Sequence, residues 1–122
     1  MKQVAFFRVD SSYNLGSGHI FRCLNIAEKL KTNYKIKFIT NNFKGNYNFL
    51  LRDFDIELLE NDEYDFDQLK DLDQTVNIIK KFQSKKIIVI DNYFLNFYWQ
   101  KKIRKFVHKS VLIQDTIKKK LL

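Results

Sequence analysis

The strongest constraint on this chain is the alternation of short apolar runs with segments of helical period. "VAFFRV" is followed by apolar positions at helical spacing from Ile20 to Leu30. Next come "KIKFIT", a short segment around "YNFLLRDF", "IELL", and a helical pattern through "QLKDLDQTVNIIKKF". "KKIIVI", a helical pattern through "YWQKKIRKFV", and "VLIQ" complete the series. β-rich runs separated by helices imply parallel strands joined by right-handed crossovers. The expected architecture is α/β: a Rossmann-like parallel sheet of about five strands with helices on both faces.

In such sheets ligands bind beyond the carboxyl ends of the strands, where the strand order reverses. The turns after Val9, Ile90 and Gln114 are therefore expected to gather there. The first of them, "DSSYNLGSG", carries two of the chain's three glycines, and the chain has no proline. Glycine serves where a backbone needs positive φ or close approach by another molecule. His19 begins the helix that follows, and Arg22, three residues on, shares its first-turn face. Gly16 and Gly18 allow the loop to fold back toward both, and free N–H groups at a helix start form an anion site. Spacing alone leaves two readings open: a ligand site, or a sharp turn in which His19 caps the helix and Arg22 sits in a surface ion pair. Cys23 falls on the apolar stripe with Ile20, Leu24, Ala27 and Leu30, which makes it core rather than nucleophile.

The 122 residues, with no repeat, linker or composition break, read as one domain over 1–122. No apolar stretch reaches the roughly 20 residues that span a bilayer, and "VAFF" is soon interrupted by Arg8 and Asp10, so a cytoplasmic protein without membrane contact is expected. A single cysteine excludes an internal disulfide framework and a cysteine-built zinc site. The formal net charge of +8 is spread over separate groups: Lys80, Lys81, Lys85 and Lys86, then Lys101, Lys102, Arg104 and Lys105, then Lys118 to Lys120. An acidic stretch from Asp53 to Asp73 interrupts the basic residues. Most of these groups read as solvated helix faces, the alternative being attraction of an anionic ligand such as a nucleotide sugar; neither reading is a specific nucleic-acid surface.

"FRVDSS" followed by "GSGHIFRCLNIAEKL" resembles the amino-terminal signature of the UDP-2,4-diacetamido-2,4,6-trideoxy-beta-L-altropyranose hydrolases of pseudaminic acid biosynthesis. That signature reads R-x-D-x-S, then G-x-G-H-x-x-R-C and L-A-x-x-L. "IIVIDNYFLNFYWQKKIRK" is similar to the family's strand ending V-D-x-Y-x-L and the Trp-bearing helix after it. "VLIQDT" resembles the next strand and its D-D motif, with Gln114 in place of the first Asp, which leaves Asp115 the weaker match. The likeness runs from about Arg8 to Asp115, after which the family's usual continuation gives way to "TIKKKLL".

The resemblance implies one half of a GT-B-like two-domain fold, in which a second, nucleotide-binding domain supplies most uridine and diphosphate contacts. This chain looks like the first domain only, with the second absent or separately encoded as a partner. The implied reaction is cleavage of the bond between sugar C1 and UDP by water, without a metal or cofactor, releasing UDP and the free diacetamido-trideoxy hexose. His19 matches the catalytic histidine. A general base must be unprotonated to work, and a helix amino-terminus beside a cation favours that form. Gly16, Ser17 and Gly18 would let backbone approach the substrate. Arg8 and Asp10 would bind sugar substituents or order the loop, and Asp91 with Tyr93 would line the opposite wall beside Arg22. Two alternatives stand beside this one: the amino-terminal domain of a UDP-sugar glycosyltransferase, and a truncated or split product that only folds or pairs with a separate second domain.

Overall fold

Strand β1 (Gln3–Val9) is buried at every position from Val4 to Val9, as a strand covered on both faces must be. In this computed structural model, which describes residues 2–113, it is the central strand of the sheet. After it come helix α1 (Gly18–Leu30), strand β2 (Tyr34–Asn41), a 3₁₀ turn at Asn48–Leu51 and strand β3 (Asp55–Leu59). Helix α2 (Gln68–Ile79), strand β4 (Lys86–Asp91), helix α3 (Phe97–Ile103), a 3₁₀ turn at Arg104–Phe106 and strand β5 (Lys109–Leu112) follow. The sheet runs β3-β2-β1-β4-β5 with every ladder parallel. This is the expected Rossmann-like α/β architecture. The chain moves outward from β1 to β3, then returns to β4 on β1's other side, so the order reverses between β1 and β4.

Side-chain alternation along the strands sorts the molecule into two layers. Ala5, Phe7 and Val9 of β1, with Ile36, Phe38 and Val89, pack on Ile20, Cys23 and Ala27 of α1 and on Leu51. Val4 and Phe6 point the other way and join Ile39, Ile88 and Ile90 against Leu72, Val76 and Ile79 of α2 and Trp99 and Ile103 of α3. The helices thus lie on both faces. Among the described residues no helix is long and apolar enough to cross a membrane.

Element ends depart from the sequence expectation for local reasons. α2 starts after Asp67, whose carboxylate accepts from Leu69 N and Lys70 N, a standard way to satisfy a helix's free donors. It stops at Ile79 instead of running to Phe82, whose ring turns edge-on to Phe6 with centroids 5.3 Å apart. α3 starts earlier than "YWQ", because the Asn96 side chain accepts from Tyr98 N and Trp99 N. It then tightens into the 3₁₀ turn and ends at the extended Val107 (φ −131°, ψ 159°), which sends the chain into β5. β5 begins at Lys109, ahead of "VLIQ", because its ladder with β4 already pairs Lys109 with Ile87. Gln114, Asp115 and the basic tail lie outside the described residues.

Candidate active site

The loops after β1 and β4 meet at the carboxyl edge where the strand order reverses. Asp91 ends β4 and has the same parity as Val89, so it faces α1. There Asp91 Oδ1 lies 2.5 Å from His19 Nδ1, on the first turn of the helix. Arg22 closes on the same carboxylate with two bonds, Nε to Oδ2 at 2.8 Å and an Nη2 donor to Oδ1 at 2.7 Å. The Cys23 thiol approaches Oδ2 at 3.9 Å. Asp91 is 1% exposed, and burial on its own would push its carboxyl up. The hydrogen bonds from His19 and Arg22 lead the effects that more than reverse this and hold it below the usual carboxylate range. An ionised Asp91 requires a proton on His19 Nδ1, because a carboxylate only accepts. In the neutral ring that leaves Nε2 as the acceptor, the arrangement by which carboxylates orient basic histidines.

The Tyr93 ring meets the His19 ring edge-on, with centroids 4.9 Å apart. His19, Arg22, Asp91, Asn92, Tyr93 and Ile113 line a hollow of about 40 Å³. A water needs roughly 10–15 Å³ of such space, so the hollow admits one. Among the described residues, larger hollows lie elsewhere. One of about 490 Å³ sits at the amino edge of the sheet around Lys35, Lys81 and Phe82, and one of about 510 Å³ lies between α2 and α3. Neither touches the switch point, where the histidine and its carboxylate are.

The glycine loop is shaped for access. Gly16 takes φ +74°, a left-handed conformation that glycine adopts without steric cost, and its N–H donates to Ser12 O at 2.9 Å. At Gly18 an added Cβ would meet nothing within 4 Å, so the fold itself gives no reason for glycine there. Ser17 occupies the N-cap position without a side-chain cap bond. The N–H groups of Gly18 and His19 have no acceptor among the described residues. The Ser12 hydroxyl donates to Glu63 at 2.5 Å and accepts from Asn14 N and Leu15 N. Asn14 also donates to the Tyr64 hydroxyl at 3.1 Å, which ties the loop after β3 to the glycine loop.

Of the sequence-predicted site residues, His19, Arg22, Asp91 and Tyr93 come together beside Gly16, Ser17 and Gly18. Arg8 and Asp10 do not join them. They have the parity of Phe6, face α2 and α3, and are 0% and 1% exposed. The Arg8 guanidinium donates to Asp10 at 2.9 and 3.0 Å, to Asp71 Oδ1 through Nε at 3.2 Å, and to Asp71 Oδ2 through Nη2. Asp10 also accepts from Asn41 N at 2.7 Å and Asn92 Nδ2 at 2.6 Å, and Asp71 from Trp99 Nε1 at 3.0 Å. Buried and saturated, this pair orders the loops and offers no contact to a sugar. Burial alone would lower the basicity of Arg8, and the two carboxylates more than reverse it. Burial likewise opposes ionisation of Asp10, but the charge of Arg8, with its hydrogen bonds and those of Asn41 and Asn92, holds it below the usual range.

The partners Asp71, Asn41, Asn92, Trp99 and Glu63 were not legible as site residues in the sequence. One signal pointed to Asp71: it shares a helical stripe with Leu72, Thr75, Val76 and Ile79, all buried. Among the described residues no group of three or more His, Cys, Asp or Glu is placed to hold a metal ion.

Fold and site together define a Rossmann-like α/β domain with a carboxylate-oriented histidine at its switch point. The chain matches no protein-family model and no curated protein.

Proposed function

We propose that this domain carries the water-activating half of a UDP-sugar hydrolase acting on a UDP-linked diacetamido-trideoxy hexose. The observation that carries the reading is the Asp91–His19 pair, 2.5 Å apart at Nδ1, on the lining of a water-sized hollow. A base so oriented removes a proton from water as the water attacks sugar C1. The C1–O bond then breaks, and its electron pair leaves with UDP. The proton passes to His19 Nε2, and Asp91 stabilises the imidazolium that forms. Arg22 keeps Asp91 ionised and in place. The open helix start at Gly18 and His19 suits a polar or anionic substituent of the substrate. Support from the sequence is the resemblance of "FRVDSS", "GSGHIFRC" and "VIDNYFL" to this hydrolase family.

The resemblance assigns the uridine and diphosphate contacts to a second domain. The test is UDP release from the UDP-linked diacetamido sugar by the chain combined with the carboxyl-terminal domain of a full-length relative. His19→Asn should lower that rate about 10²-fold or more, the usual size of a general-base contribution. Equal rates with and without His19 would overturn the assignment. Transfer of the sugar to an added acceptor in preference to water would make the domain a glycosyltransferase half instead.

A further inference from the structure

We infer that Asn92 is a positioning residue: anchored on the buried Asp10 carboxylate, it fixes the turn after β4 so that Asp91 and Tyr93 both meet His19. The inference rests on the reading of His19 as the base. Its geometry comes from strand alternation. Asp91 points to the α1 face and reaches His19 and Arg22. Asn92 points to the opposite face, where its Nδ2 donates to Asp10 Oδ2 at 2.6 Å. Its Oδ1 accepts from Phe94 N at 2.8 Å, which closes a turn of the kind asparagine side chains make with backbone two residues on. The amide orientation follows from chemistry, since its oxygen would repel Asp10.

The anchor itself is fixed. Asp10 is 1% exposed, is paired with the buried Arg8, and accepts from the end of β2 through Asn41 N. Asn92 thus holds the turn between its two neighbours against a buried, charge-paired carboxylate. One neighbour supplies the carboxylate on Nδ1 and the other supplies the ring against the imidazole. Releasing the anchor frees both contacts at once while leaving His19, Asp91 and Tyr93 chemically intact. Small errors of placement at a reacting group cost large factors in rate.

Nitrogen-15 NMR of the imidazole rings in the whole chain gives a readout independent of hydrolysis. His19 should carry its proton on Nδ1. The chain's other histidine, His108, accepts from Lys86 N through Nδ1, so it should carry its proton on Nε2 and serves as an internal reference. Asn92→Ala, and Asn92→Asp, which keeps the acceptor for Phe94 N but loses the donor to Asp10, should both abolish the Nδ1–H form of His19 and leave His108 unchanged. Asn61→Ala removes a donor to Asp71 and Asn41 in the same buried cluster. It should lower stability without moving the His19 signal. In the reconstituted hydrolysis assay, Asn92→Ala should lower kcat about 10- to 100-fold with little change in KM. In the unaltered chain, one Asn92 side-chain amide proton should exchange slowly with solvent because Asp10 holds it. A fast-exchanging Asn92 amide, a retained Nδ1–H form in the variants, or an equal response to Asn61→Ala would each overturn the inference. Loss of the NMR signature with no hydrolysis by any form would leave the inference standing and count against the proposed reaction instead.

Discussion

Asp91 Oδ1 and His19 Nδ1 lie 2.5 Å apart although 72 positions separate them in the chain. The ladder between β1 and β4 makes this contact: it pairs Val9 with Asp91 and brings the end of β4 beside the loop that leads into α1. The carboxylate's four bonding sites are divided among His19, both donors of the Arg22 fork and the Cys23 thiol.

Asp91→Asn keeps the shape and removes the charge. The amide no longer forces the proton onto Nδ1, and Nε2 loses its free lone pair in part of the population. Hydrolysis by the reconstituted enzyme should fall about 10²-fold or more. Because the Arg22 side chain is 42% exposed, solvent already screens its side of the ion pair, and the loss of stability should be small. Thermal unfolding run beside the kinetic assay separates the two effects.

Arg8→Met tests the buried cluster. The guanidinium is fully buried with two carboxylates on it, and removing one partner of a buried ion pair costs about 3–5 kcal/mol because the remaining charge stays unpaired. Urea denaturation should show that loss without a large change in slope. A cost below about 1 kcal/mol would mean that water reaches the cluster.

Much of this arrangement was legible in the sequence, and the legible part was periodic. "VAFFRV", "KIKFIT" and "KKIIVI" read as strands because two-sided burial leaves continuous apolar runs. The same runs placed the glycine loop, His19 and the "DNY" turn at one edge. What stayed hidden was partnership across the sheet. Arg8 inside an apolar strand demanded a buried acid, but the acid, Asp71, is 63 positions away and sits in a stretch that reads as solvated. No local period shows that Asn92 and Asp91 face opposite layers until the register of β4 is known.

Acid should destabilise the protein through Asp10 and Asp91. Both are held below their ordinary value of 3.8 in the folded state. The stability they contribute is therefore fully present above the ordinary carboxylate range and is lost as pH falls through the lower folded-state values. Urea midpoints should hold steady from about pH 7 to pH 5 and drop progressively below about pH 4. Asp91→Asn should lessen that drop. A midpoint that rises on acidification would contradict the sign.

Cys23 should resist thiol reagents in the folded protein. It is 0% exposed, and burial, followed by the neighbouring charge of Asp91, pushes its thiol well above the ordinary range, which leaves almost no reactive thiolate. Labelling should track global unfolding as urea is added. Fast labelling without denaturant would show that the α1 face opens locally.

Gly18 separates the demands of the fold from those of the site. It starts α1 with an ordinary φ, and an added Cβ meets no atom within 4 Å. Alanine there should cost the fold nothing and should stabilise it by about 0.4–1 kcal/mol by restricting the unfolded chain. Gly16 is different: at φ +74° an alanine should cost about 1 kcal/mol or more from the left-handed backbone alone. If substrate approaches the open N–H groups at the helix start, Gly18→Ala should raise the melting temperature and still lower hydrolysis by the reconstituted enzyme, mainly through KM, since the new methyl stands where the ligand would lie. Gly16→Ala should lower both. Unchanged KM in Gly18→Ala, measured together with the stability gain, would show that the substrate does not pass over this turn and would move the anion-binding role away from the start of α1.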